Sequence, residues 1–368
     1  MHAFGRLSRL ALTAVAAALP LAASAADEQV NFYNWANYIA DDTLPNFTKQ
    51  TGIKVVYDVF DTNELLETKL LAGSTGYDVV VPGSDFMARQ IKAGAFMELD
   101  KSKIPNLAKL DPVIMERLAE FDPENRYGVP YMWGTTGIGY NIDKMQEIFG
   151  KDVKIDSWEF VFNPENMKKL ESCGIAVLDN PTEIYATVLN YLGKDPNKAT
   201  AEDFSGVATD TMMKIRPFIR YFHSSKFITD LANGDICLAI AWSGDILQAR
   251  DRAQEAKNNV NVGYTIPKEG ALMWLDIMTI PKDAKHADAA HKLINYLLEP
   301  KVMAANSDAV SYANAVADSW PLIKPEVRNH EGIFPPPEVA AKLFVLKPLD
   351  QKTSRVVTRS WTRVRSGR

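Results

Sequence analysis

Short runs of β-forming residues alternate with helical periodicities over the first third of the chain. Residues 29–33, 54–60 and 77–81 are rich in Val, Tyr and Phe and predict strands. Residues 41–50, 63–72 and 84–93 carry apolar positions three and four apart and predict helices. A β-α-β-α-β order argues for a parallel sheet covered by helices. Ligands of such sheets bind at the carboxyl ends of strands. The segments to inspect are therefore Asn34-Trp35-Ala36-Asn37-Tyr38 after the first strand and Pro82-Gly83-Ser84-Asp85-Phe86 after the third.

Residues 127–141 place four glycines among β-formers, a composition suited to an extended crossing between two lobes. Residues 261–270 supply a second such stretch and return the chain. Two crossings make each lobe discontinuous, with 27–134 and 259–318 in one and 135–258 and 319–368 in the other. Flexible crossings are the usual material of a hinge, so closure of a cleft is the expected motion. Helices are predicted over 182–192 and 202–214, and 236–241 is a continuous apolar run of the buried-strand kind. Ala290, Leu293, Ile294, Leu297 and Leu298 mark one face of a helix stopped by Pro300. Arg355, Arg359 and Arg363, four residues apart, read as the solvated face of a terminal helix, with docking to a transporter as the alternative.

The first 26 residues look like an export signal and not like part of the fold. Arg6 and Arg9 precede an Ala/Leu-rich stretch, and Ala23-Ser24-Ala25 resembles a cleavage site. The apolar run is too short to span a bilayer, so a soluble periplasmic protein is expected. Cleavage leaves 39 basic against 46 acidic side chains, a net charge of about −7. That balance disfavours nucleic acid and favours a cationic ligand. Roughly 340 mature residues exceed one hydrophobic core and fit two lobes. The only cysteines are Cys173 and Cys237. Export permits a disulfide between them, and two buried thiols are the other reading.

Motifs for chemistry are missing. The five histidines form no metal-binding pair, Ser243 lacks a nucleophile elbow, and no Gly-rich phosphate loop occurs. A hydrolase built on two distant carboxylates stays open as a rival. What recurs is an aromatic beside an acid: Trp242 with Asp245, and Trp274 with Asp276 on one face of a predicted strand, with Trp35 and Tyr38 nearby. Asp85 and Glu183 also follow predicted strands. Carboxylates beside flat aromatic walls suit a flexible chain bearing ammonium groups, because each charge pair and each cation-π contact adds favourable energy.

Five segments in order make the chain similar to the polyamine-binding proteins of bacterial ABC importers: Asn34-Trp35-Ala36-Asn37-Tyr38-Ile39, the Tyr77-Asp78-Val79 strand ending at Pro82, the 133–141 stretch Trp-Gly-Thr-Thr-Gly-Ile-Gly-Tyr-Asn, Ala241-Trp242-Ser243-Gly244-Asp245, and 264–270. The resemblance implies an α/β type II periplasmic binding protein: two lobes, each a central β-sheet flanked by helices, with the ligand cleft between. It implies a monomeric, non-enzymatic receptor without cofactor or metal, handing a polyamine to a membrane ABC permease. By the same comparison Trp35, Tyr38, Trp242, Trp274 and Tyr312 line the pocket, Asp245, Asp276 and Glu183 hold amines, and Cys173 pairs with Cys237. Trp274 is the spermidine-type residue, which makes spermidine the expected ligand. Asp245 is a putrescine-type feature, and Asn37 and Asn180 stand where some spermidine-type relatives carry acids. Asp85 replaces an expected Ser or Tyr, either as a further counter-charge or as a helix cap.

Overall fold

A computed structural model describes residues 28–368; the export signal expected over 1–26 lies outside them. Among the described residues there are ten strands: β1 Gln29–Trp35, β2 Lys54–Phe60, β3 Val79–Val80, β4 Gly128–Asn141, β5 Ile175–Val177, β6 Tyr221–Phe222, β7 Leu238–Trp242, β8 Val262–Thr265, β9 Met273–Thr279 and β10 Ala313–Asn314. They follow the order β2-β1-β3-β9-β4-β7-β5-β6, with β8 and β10 also paired to β4. Among the described residues no helix is long and apolar enough to cross a membrane.

The long strand β4 belongs to both lobes. Its first half, Gly128 to Thr135, runs antiparallel to β9, whereas Thr136 to Asn141 run antiparallel to β7 and β8. The parallel sheet expected from the sequence is present as β2-β1-β3 on one side and β7-β5-β6 on the other. Antiparallel strands appear where the chain crosses, so each sheet is mixed. Two separate apolar cores result, one around Phe32, Phe47, Val79, Leu275 and Leu293, the other around Trp158, Tyr185, Phe227, Ile240 and Trp361.

The second crossing lies later in the chain than the sequence suggested. β8 pairs with the second half of β4, and Trp158 of the second core donates to the Gly270 carbonyl at 2.9 Å. The return therefore follows Gly270 and does not start at 259, because 262–265 complete a sheet of the second lobe. Ile323, Val327 and Ile333 pack with Ala304, Ala313 and Leu247 at the junction of the lobes. A third crossing, in which Phe344 lies beside Leu272, carries the chain to the terminal helix Gln351–Ser366 on the second core. The break expected at 319 thus falls nearer 344.

Cys173 and Cys237 form a disulfide with their Cα atoms 5.6 Å apart, tying the loop before β5 to the start of β7. Glycine has a packing role in two places. A Cβ on Gly134 would stand 2.6 Å from the Trp274 ring, and one on Gly244 would stand 2.5 Å from the Tyr312 ring. Both leave room for aromatic residues of the cleft, so Gly134 serves close packing and not flexibility.

Candidate functional site

The strands β1 and β7 present their carboxyl ends at the cleft, whereas β9 reaches it with its amino-terminal half and three helices reach it with their amino ends. β1 ends on Trp35, and the turn after it brings in Tyr38. β7 ends on Trp242, and β9 turns both Trp274 and Asp276 inward, two residues apart on one face. Asp85, Glu183 and Asp245 occupy the first turns of the helices Ser84–Lys92, Pro181–Tyr191 and Ser243–Ala256. The partial positive charge of a helix N-terminus favours a carboxylate there. It also means that these acids stand between the helix ends and any incoming cation.

The aromatic residues form a box that spans the lobes. The Trp242 ring, from the second lobe, meets Trp35 at 5.6 Å and Trp274 at 6.4 Å, both edge-on. Tyr312 meets Trp274 at 5.3 Å and Tyr38 at 5.1 Å. Trp35 is fixed by donating Nε1–H to the Val81 carbonyl at 2.8 Å. Across the lobes, the Tyr312 hydroxyl donates to Asp245 Oδ1 at 2.7 Å and accepts from the Asp245 backbone N–H at 3.1 Å. The box encloses a narrow cavity that Asp85, Glu183, Asp245 and Asp276 also line.

None of these four acids has a cationic partner within 4.0 Å among the described residues. Burial is the main cause that pushes Asp85 up to about 6, and Glu183 and Asp245 up to about 7. Asp276 is raised well above the ordinary carboxylate range, by burial first and then by the neighbouring acids, with Tyr38 opposing. In the cavity wall, the buried Trp274 Nε1–H has no hydrogen-bond partner among the described residues. A group of buried acids without counter-ions is a site that gains from receiving cations.

Nine of the ten residues anticipated for the pocket line this one cavity. Asn37 does not. It sits outside with left-handed backbone at φ 56, and it accepts from lobe-two side chains, Arg252 at 3.3 Å through its side chain and Gln248 at 3.4 Å through its carbonyl. Its place in the turn after β1 aims it past the cavity. Conversely, Asn63, Thr182, Leu272 and Leu346 line the cavity without having been anticipated. The rule of strand ends could have found Asn63 and Thr182, which open helices. Leu272 and Leu346 lie on the crossings, and nothing in an apolar residue type marks it as a ligand contact.

Residues 43–335 match the family described as bacterial extracellular solute-binding protein. The chain belongs to that family. The match agrees with the whole length of known relatives: this solute-binding protein is 56% identical over 345 residues to the putrescine-binding periplasmic protein of Escherichia coli K12, covering 94% of this chain and 93% of that one. It is 50% identical over 368 residues to the putrescine-binding periplasmic protein of Pseudomonas aeruginosa, with complete coverage of both. The spermidine/putrescine-binding periplasmic protein of Escherichia coli K12 is 33% identical over 334 residues, 90% of each chain. Among solved structures, a putative spermidine/putrescine ABC transporter protein of Listeria monocytogenes superposes with a TM-score of 0.82 at 31% identity, covering 93% of this chain and all of that one. The solute-binding protein is therefore a receptor, not an enzyme, and the two-carboxylate hydrolase is set aside.

Proposed function

We propose that this solute-binding protein captures a short polyamine in the periplasm, putrescine before all others, and presents it to an ABC importer. The observation that carries the reading is the set of buried, unpaired carboxylates inside an aromatic box made by both lobes. Asp245, Asp276 and Asp85 act as counter-charges for ammonium groups, and Trp35, Trp242, Trp274 and Tyr312 enclose the methylenes. Each charge pair is worth about 4 kcal/mol at roughly 4 Å and an effective dielectric of about 20, before desolvation. Cation-π contacts contribute about 0.5 to 2 kcal/mol each. Both terms grow when closure excludes water, so binding and closing are one event.

Putrescine replaces spermidine as the first reading because the relatives at 56% and 50% identity are named for putrescine, and those named for both amines stand at 33%. Spermidine remains the second reading, supported by Trp274 and by Asp85 as a further carboxylate in the cavity. Calorimetric titration with putrescine, cadaverine, spermidine and spermine tests both. Tightest binding of putrescine is expected, tightest binding of spermidine would reverse the order, and no heat with any polyamine would end the proposal.

A further inference from the structure

Glu183 is buried at 9% exposure and lines the cavity, yet its carboxylate is already occupied by the protein itself. Oε2 accepts from the Thr136 hydroxyl at 2.6 Å and from Trp242 Nε1–H at 3.0 Å. Oε1 accepts from Asn180 Nδ2 at 2.6 Å, while the Asn180 side-chain oxygen caps the Glu183 N–H at 3.2 Å. A carboxylate offers about four acceptor positions, so three of them are filled before any ligand arrives. By contrast, among the described residues the one side chain hydrogen-bonded to the Asp245 carboxylate is the Tyr312 hydroxyl.

All three donors belong to the same lobe as Glu183. Thr136 and Trp242 are direct partners in the β4–β7 ladder, and Asn180 caps the helix that carries Glu183. The cluster therefore forms within one rigid body and does not wait for closure. Of the three donors, the one that belongs to an aromatic wall of the box is the indole N–H of Trp242. An indole has one donor and two side-chain torsions, so fixing that donor fixes the plane of the ring. Trp242 is also the ring through which the second lobe reaches Trp35 and Trp274 of the first.

We infer that Glu183 is a positioning residue: it holds the Trp242 ring in the plane needed for the box and is not the counter-ion of an ammonium group. This rests on the proposed polyamine site and changes the expected role of Glu183, leaving the charge work to the three aspartates. The substitution Glu183→Gln would keep an oxygen for Trp242 Nε1–H and Thr136, give up the bond from Asn180 Nδ2 and remove the negative charge; Glu183→Leu would remove all three bonds and the charge.

The test measures putrescine affinity in Glu183→Gln, Glu183→Leu, Trp242→Phe and the double variant Glu183→Leu/Trp242→Phe. The expected result is Glu183→Gln within about threefold of wild type and Glu183→Leu weaker by at least about tenfold, with an altered tryptophan emission spectrum. In the Trp242→Phe background, Glu183→Leu should cost less than about twofold further, since a coupled pair is not additive. A loss of tenfold or more in Glu183→Gln, or an undiminished effect of Glu183→Leu without the indole, would overturn the assignment. Should Glu183→Leu fail to fold, Glu183→Gln alone separates the two roles, because a buried counter-ion cannot be neutralised without a large loss. Wild-type protein that ignores putrescine would instead refute the functional reading.

Discussion

Replacing Asp276 by Asn should weaken binding while strengthening the empty protein, two effects of opposite sign from one atom change. Asp276 is 6% exposed, has no cationic neighbour within reach, and is raised well above its ordinary value of 3.8 by burial. An ammonium at about 4 Å recovers roughly 4 kcal/mol at an effective dielectric near 20. Part of that is spent on ionising the buried acid, so roughly 4 kcal/mol, about a thousandfold in affinity, is the ceiling, and a loss of at least about tenfold is expected. For the empty protein, a carboxyl with a raised folded-state pKa stabilises below about 3.8 and loses that contribution as pH rises through the folded value. The variant has no such loss. Its melting temperature relative to wild type should therefore climb as pH rises from about 4 toward the raised folded-state value. Calorimetric titration with putrescine gives the first quantity, and thermal unfolding without ligand at several pH values gives the second. Unchanged affinity, or a melting temperature relative to wild type that falls with rising pH, would refute the reasoning.

Four other outcomes follow from the same geometry. Putrescine affinity should decline as pH falls through the raised values of Asp245, about 7, and Asp85, about 6, because a protonated acid offers no charge. Binding near pH 7 should release protons, seen as a buffer-dependent binding enthalpy; an enthalpy independent of buffer ionisation would contradict this. Trp274→Phe should move the spermidine-to-putrescine affinity ratio toward putrescine with little change in melting temperature, and an unmoved ratio would remove Trp274 as a selector. Gly134→Ala forces a Cβ to 2.6 Å from the Trp274 ring, so putrescine binding should weaken at least about tenfold; normal affinity would show that the ring has room to shift.

Much of the architecture was legible because the pattern was local. β1, β2 and the helix Asn63–Ala72 follow their periodicities closely, and Trp242 with Asp245 and Trp274 with Asp276 stand where strand ends and alternate strand positions put them. Asn37 misled because one left-handed turn residue decides where a side chain goes, and composition does not reveal φ. β8 was assigned to the wrong lobe because its pairing partner lies more than a hundred residues earlier in β4. The crossing at Phe344 and the lining by Leu346 were hidden for the same reason, since long-range contacts leave no local periodicity. The saturation of Glu183 also depends on residues brought together by the fold, and no motif in the sequence lists its donors.

The sharing of β4 has a mechanical consequence. A hydrogen-bonded strand resists stretching along its length but yields to torsion, and here the two sheets meet between Thr135 and Thr136 on one such strand. The lobes cannot slide apart or swap register past one another, so admission and discharge of the solute must be rotations. The same peptide that guides the rotation carries Gly134 against one wall of the box and Thr136 against the anchor of another. Torsion of the axle is thereby transmitted directly to the tryptophans of the box.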